Sequence, residues 1–281
     1  MTRITINGAD LFVSDSGGSG TPILFIHGLM LASQSWEAQI ARFSAAHRVV
    51  AFDLRGQGQS EKTRDRLDLD SLAEDAGAVI DRLKLGRVHV VAFSMGTFIA
   101  LRLAAWRPEI VRSLTLIGPS ADAEEPANLP RYRLLIALVR MFGTRVAIGP
   151  MMKILFGDTY LANAAAKPAR ERWRRELLSL PRSLHRAAAA SASREAVDHL
   201  LSSIRMPTLI VSGDEDRPIS PERAFRVHQG IAGSRFVPVA RAGHAVMIEH
   251  AEAFNGILED FLAEVEALDA DTEGPALPRI P

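Results

Sequence analysis

The chain has 281 residues, 47% hydrophobic and 23% charged, which is enough for one large globular domain or two modest ones with a real core. Its 33 Lys and Arg balance 33 Asp and Glu, which excludes a global charge bias toward nucleic acid or anionic membranes. There is no cysteine, which excludes disulfides, thiolate nucleophiles and cysteine-ligated metals.

The opening stretch, MTRITINGADLF, holds no apolar core of signal-peptide length, and no apolar run in the chain is long enough to span a bilayer. The expectation is a cytoplasmic protein. Residues 4–14 alternate around Asn7-Gly8 and predict a β-hairpin. Short apolar runs at 22–28, 48–56, 87–94, 112–119, 207–216 and 234–240 suit strands covered on both faces, as in a parallel sheet. Helical patterns lie between them. Asp70 is placed to cap the stretch ending at Gly86, residues 96–106 end before Pro108, and Pro221 opens another helix. Residues 252–268 form a last amphipathic helix, and the Pro-rich acidic stretch 269–281 reads as a flexible tail.

Strand–helix alternation predicts an α/β fold, a mostly parallel sheet with helices on both faces. The alternation breaks after the sixth strand, where only helical patterns occur. The expected division is a core over 1–120, a helical cap over 121–203, the rest of the core over 204–268, and the tail.

Residues 90–98, VVAFSMGTF, place Ser94 between a buried strand and a helix. A nucleophile on such a turn needs small neighbours two residues either side, here Ala92 and Gly96. The following helix aims its N-terminal N–H groups at the serine, which favours a developing oxyanion. Relaxed to small-x-Ser-x-small, the pattern also fits Ser16 and Ser191. Of the three, only Ser94 ends an apolar strand and starts a helix.

A serine needs a base, and the base an orienting acid. Among eight histidines, His244 stands out in a glycine-flanked loop after the last strand, where sites collect in parallel sheets. The other histidines read as surface or packing residues. The loop GDEDRP offers Asp214, Glu215 and Asp216 as acids, with Asp122 as the rival outside it.

The order Ser94, Asp216, His244 resembles that of the α/β-hydrolases, and the resemblance runs from about residue 5 to 265. FIHGLM (25–30) looks like that family's His-Gly turn, and DLRGQGQS (53–60) like its Asp-x-Arg-Gly-x-Gly-x-Ser loop. VVAFSMG matches its nucleophile elbow, with Ala92 for a glycine and Thr97 where many members carry a second one. PTLIVSGDEDRPIS matches the strand and loop that carry the acid, which selects Asp216 over Asp214. AGHAVMIEHAEAFN matches the final Gly-His loop.

The resemblance implies a serine hydrolase with an oxyanion hole made by the backbone N–H groups of Leu29 and Met95. His27 then reads as a structural residue, and Asp53, Arg55, Gly56 and Gly58 as loop braces, since RGQGQS lacks the lysine and spacing of a P-loop. Arg131, Arg133, Arg140, Arg170, Arg172, Arg174 and Arg175 of the cap read as a solvated face, one of which could reach a substrate carboxylate. Leu135, Leu138, Met141 and Phe142 read as packing, with some roofing the pocket. No metal or organic cofactor is implied, and the expected partner is a small ester or lactone rather than nucleic acid or membrane. Carboxylesterase action leads. A lactonase, perhydrolase or carbon–carbon bond hydrolase would use the same residues, and a non-catalytic ligand receptor would keep the same fold.

Overall fold

The computed structural model describes residues 2–273. Asn7 and Gly8 take positive φ angles of 46° and 79°. Their two-residue turn matches strand twist and pairs β1 (Thr2–Ile6) with β2 (Ala9–Asp15) antiparallel. Six further strands follow: β3 (Pro22–Ile26), β4 (Arg48–Phe52), β5 (Val88–Phe93), β6 (Val111–Ile117), β7 (Thr208–Gly213) and β8 (Arg235–Val239). The sheet order is β1-β2-β4-β3-β5-β6-β7-β8. β2 meets β4 antiparallel, and the pairs from β4 through β8 are parallel.

Alternate residues of each strand face opposite layers. On one side Val88, Val90 and Ala92 of β5 pack with α2 (Leu69–Arg82) and α3 (Met95–Trp106). On the other, Val91 and Phe93 join a cluster that includes Phe43 of α1 (Glu37–Phe43). Residues 121–203 hold no strand. They form α4 (Leu129–Phe142), α5 (Ile148–Leu155), α6 (Asp158–Ala162), α7 (Lys167–Ser179), α8 (Leu184–Ala192) and α9 (Asp198–Leu201). The core then resumes with α10 (Pro221–Gly230), α11 (Val246–Glu249) and α12 (Ala251–Glu273), the last closing the α1 layer.

Four local expectations change. The cap of α2 is Asp68, whose extended backbone lets its carboxylate accept the Ser71 N–H at 2.8 Å. Asp70 lies inside the first turn and pairs with Arg102. α1 was not anticipated, because seven residues give too short a periodic pattern. β8 is a half-exposed edge strand, which is why it tolerates Pro238. α12 continues past Leu268 to Glu273, and the rest of the expected tail, 274–281, lies outside the described residues. Among the described residues no helix is long and apolar enough to cross a membrane.

A buried ion pair braces the β1–β2 side of the sheet. Arg55 donates through Nε and Nη2 to Asp75 of α2 at 2.8 and 2.9 Å, and through Nη2 to the carbonyls of Ile6 and Asn7. The two side chains are 3% and 1% exposed, so neither charge has water to fall back on. Asp75→Ala should therefore cost about 3–5 kcal/mol of stability by leaving Arg55 uncompensated, read as a lowered midpoint of urea unfolding.

Candidate active site

Ser94 sits between β5 and α3 with φ 52° and ψ −118°. A non-glycine residue here is strained by about 1–3 kcal/mol, so its surroundings must hold it. Its N–H donates to Ile117 O at 3.0 Å, anchoring it to β6. Its carbonyl accepts from the Thr97 N–H at 2.8 Å and from the Thr97 hydroxyl at 2.6 Å. The first turn of α3 lies on the end of β3 so closely that a side chain at Gly96 would meet Ile26 O at 2.5 Å. The methyl of Ala92 is buried in the α2–α3 core.

The histidine and acid come from loops after β8 and β7. His244 Nε2 lies 2.7 Å from Ser94 Oγ, and Nδ1 lies 2.6 Å from Asp216 Oδ2. A carboxylate only accepts, so Nδ1 carries the proton and Nε2 is free to accept from the serine hydroxyl. The second Asp216 oxygen accepts the Ile219 N–H at 2.9 Å. Both side chains are buried, and the Phe93 ring packs 4.7 Å from the imidazole. Gly118, just past β6, has φ 55°, and a Cβ there would come within 2.8 Å of His244 Nδ1 and 3.1 Å of Asp216 Oδ2. This requirement was missed in the sequence, where a glycine after a strand reads only as a turn.

The rival acids are engaged elsewhere. Asp122 pairs with Arg223 and Arg226. Asp214 accepts the Ala242 N–H at 3.3 Å, and Glu215 accepts from Thr159 of the cap. Ser16 is bonded to the backbone of Gly17 and Val49. Ser191 lines the pocket described below, but among the described residues no histidine bonds to it.

Among the described residues, no intramolecular hydrogen bond engages the N–H of Leu29 or of Met95. Met95 is the first residue of α3 and follows the serine. The turn at Gly28 passes so near that a side chain there would reach Ser94 Cβ at 2.9 Å. His27 is fully buried, and both of its nitrogens serve the backbone. Nδ1 donates to Gly28 O at 2.7 Å, and Nε2 accepts the Leu54 N–H at 2.9 Å. Burial holds its pKa below the ordinary histidine value, so the ring stays neutral. Asp53 ties the neighbouring loops by accepting the N–H groups of Ser33 at 2.7 Å and Gln59 at 2.6 Å.

Above Ser94 and His244 lies a cavity of about 1050 Å³ including its open mouth. Leu135 and Val139 of α4, Met151 and Leu155 of α5, Leu184 of α8 and Ile219 make it largely apolar. None of the seven arginines named from the sequence lines it. Arg172 pairs with Glu37 of the core, and Arg170 bonds cap carbonyls. The arginine that does line it is Arg194, beside Glu124 and Tyr132. No local pattern marks Arg194, since it is non-local folding that brings it there. Met141 and Phe142 do not line the cavity and are 54% and 59% exposed.

The cap is tied to the loops that carry the acid and the histidine. Ala245 N–H donates to Leu155 O at 2.8 Å. Glu249 Oε2 accepts from Gly157 of the cap at 3.2 Å and from Gly243, next to His244, at 3.0 Å. Its other oxygen is buried and has no hydrogen-bond partner among the described residues. Burial pushes this carboxyl up to about 7, against the two N–H donors that pull it down. Among the described residues no group of three or more His, Asp or Glu is placed to hold a metal ion.

The family model for the alpha/beta hydrolase fold matches residues 21–251. The chain is 31% identical over 248 residues to the dihydrolipoyllysine-residue acetyltransferase component of the acetoin cleaving system of Pseudomonas putida. That match covers 88% of this chain and 64% of the relative, so the chain spans less than two thirds of that protein's length. It is 29% identical to a 2-hydroxymuconate semialdehyde hydrolase of a Pseudomonas species, over 89% of each chain. Among solved structures it superposes on a thermophilic esterase from Thermogutta terrifontis with a TM-score of 0.87 at 26% identity, covering 94% of this chain and 99% of that one.

Gly118→Ala should lower ester turnover about a hundredfold or more while the protein stays folded by circular dichroism, because the new methyl displaces His244. Glu249 generates a pH effect. Its folded pKa of about 7 exceeds the ordinary 4.5, so the folded state holds an extra proton between those values. Its contribution to stability is full below 4.5 and is lost as pH rises through 7. Glu249→Gln should flatten urea-unfolding stability across that window relative to wild type, and an unchanged slope would refute the assignment.

Proposed function

This chain belongs to the alpha/beta hydrolase fold family, and on that footing we propose that it hydrolyses carboxylic esters through an acyl-enzyme on Ser94. Ser94 Oγ attacks the ester carbonyl carbon while His244 Nε2 takes the hydroxyl proton. The carbonyl electron pair moves onto oxygen, and the N–H groups of Leu29 and Met95 hold that oxyanion. Its collapse breaks the bond to the alcohol oxygen, which leaves with the proton from His244. Water then attacks the acyl carbon, His244 takes its proton, and Ser94 departs reprotonated as the acid is released. Asp216 fixes the tautomer of His244 and stabilises the imidazolium. A lactone is an internal ester, and the same steps would open one.

The observation that carries this reading is the unbroken run of short hydrogen bonds from Ser94 through His244 to Asp216, 2.7 and 2.6 Å, at the floor of an apolar cavity. The strained backbone of Ser94 supports it, because such strain persists only where surroundings over-determine it and clusters at reactive sites. The two uncommitted N–H groups beside the serine support the oxyanion assignment. Likeness to an esterase at 26% identity supports the ester class.

Hydrolysis of nitrophenyl acetate, butyrate and octanoate tests the reading. Ser94→Ala and His244→Ala should each lower kcat by about 10⁴-fold or more, and Asp216→Asn by about 10⁴-fold. Asp214→Asn and Asp122→Asn should stay within about tenfold of wild type, since neither carboxylate meets His244. Turnover retained in Ser94→Ala would sink the mechanism.

A further inference from the structure

The far end of the cavity is not apolar. Arg194 and Glu124 line it, with side chains each 7% exposed, and Arg194 Nη1 donates to Glu124 Oε2 at 2.8 Å. The guanidinium is fixed on three further sides. Nη1 also donates to Ser191 O at 3.0 Å, Nε donates to Asp122 O at 3.2 Å, and the Phe98 ring lies 4.8 Å beneath it. Glu124 is held in turn, its other oxygen accepting from Asn128 Nδ2 at 3.0 Å. Burial raises this carboxyl, but Asn128 and Arg194 outweigh it and keep it below its ordinary value, so the pair is charged and internally neutral.

Two polar groups at this end are left uncommitted. Among the described residues no hydrogen bond engages Arg194 Nη2 or the Tyr132 hydroxyl, and both residues line the cavity. Burial and the nearby Glu124 push the Tyr132 phenol up, so it keeps its proton as a donor. Phe98 lies one turn of α3 beyond Ser94, which puts this polar end roughly 6 Å further along the helix than the serine. The rest of the lining includes hydrocarbon from Met95, Leu135, Val139 and Ile219, with His185 and Ser191 also present.

We propose that this end is a subsite for an uncharged hydrogen-bond acceptor, a ketone, amide or hydroxyl oxygen, carried on an otherwise apolar chain of the substrate, with Arg194 Nη2 and Tyr132 Oη as the donors. The substrate class is a medium-chain ester or lactone of an oxo- or hydroxy-substituted acid or alcohol. The proposal rests on the reading of Ser94 as the nucleophile facing the same cavity. A plain alkyl chain would bury two donors without partners, and a site built for a polar group rejects the analogue that lacks it. A carboxylate would meet a positive charge that Glu124 already neutralises, and would add a second buried negative charge beside it. An uncharged acceptor satisfies the donors without either cost.

The test compares methyl octanoate and octyl acetate with analogues carrying a mid-chain ketone or a terminal carboxylate, by pH-stat hydrolysis. In at least one of the two series the ketone should raise kcat/KM tenfold or more over the plain chain, and the carboxylate should lower it. Tyr132→Phe should shrink the ketone preference at least fivefold, and this variant removes only an unpaired hydroxyl. The double variant Glu124→Met with Arg194→Met, which replaces the ion pair with packing, should abolish the preference. Equal kcat/KM for plain and ketone chains in both series, or a ratio that Tyr132→Phe does not move, would overturn the proposal. If no ester is turned over, the hydrolase reading fails, and the subsite is judged on Ser94→Ala protein by calorimetry. There, tenfold tighter binding of the ketone esters supports it, and equal Kd values refute it.

Discussion

Ser94 holds a left-handed backbone that a residue with a side chain avoids, and much of the core is arranged to keep it there. β6 anchors its N–H, Thr97 clamps its carbonyl twice, and α3 rests on the end of β3 without room for a side chain at Gly96. The strain of about 1–3 kcal/mol is small against the burial of β5, whose six residues are all buried. The strand cannot shift to relieve the turn without uncovering both layers, so the serine stays where the helix N-terminus and the Leu29 turn converge.

Sheet order then determines what can meet the serine. β5, β6, β7 and β8 are adjacent and parallel, so their following loops share one edge. Ser94, Gly118, Asp216 and His244 come from those four loops in spatial order. Gly118 lies between the serine's strand and the acid's, and its lack of a side chain is the space that His244 fills. The pairing of His244 with Asp216 is a consequence of strand order and of one missing methyl.

The cap is joined to the core at several places, among them Arg186 of α8 to Thr63 O and Asp122 to Arg223 and Arg226 of α10. Residues 155–159 bond to the loops after β7 and β8 through Ala245, Glu215 and Glu249, so that side moves only if the histidine and acid loops move too. Arg172 of α7 adds a bridge to Glu37. α4 and α8 pack against each other, α4 carrying Tyr132 and the chain just past α8 carrying Arg194, and both line the cavity.

Patterns that depend on neighbours in the chain were legible in the sequence. The Asn7-Gly8 hairpin, the apolar strands, the helical cap after the sixth strand and the serine elbow all follow from periodicity and turn chemistry acting over a few residues. The order of Ser94, Asp216 and His244 pointed to one family because five short motifs fell in sequence. Local signals blurred where two residues could do the same task, as with Asp68 and Asp70 at the start of α2. Only the tertiary structure decided that Gly118 must lack a side chain, and that Arg194 enters the cavity while the seven named arginines do not. Each of these is a contact between segments far apart in the chain, set by which loops the sheet edge brings together, and no window of neighbouring residues carries that information.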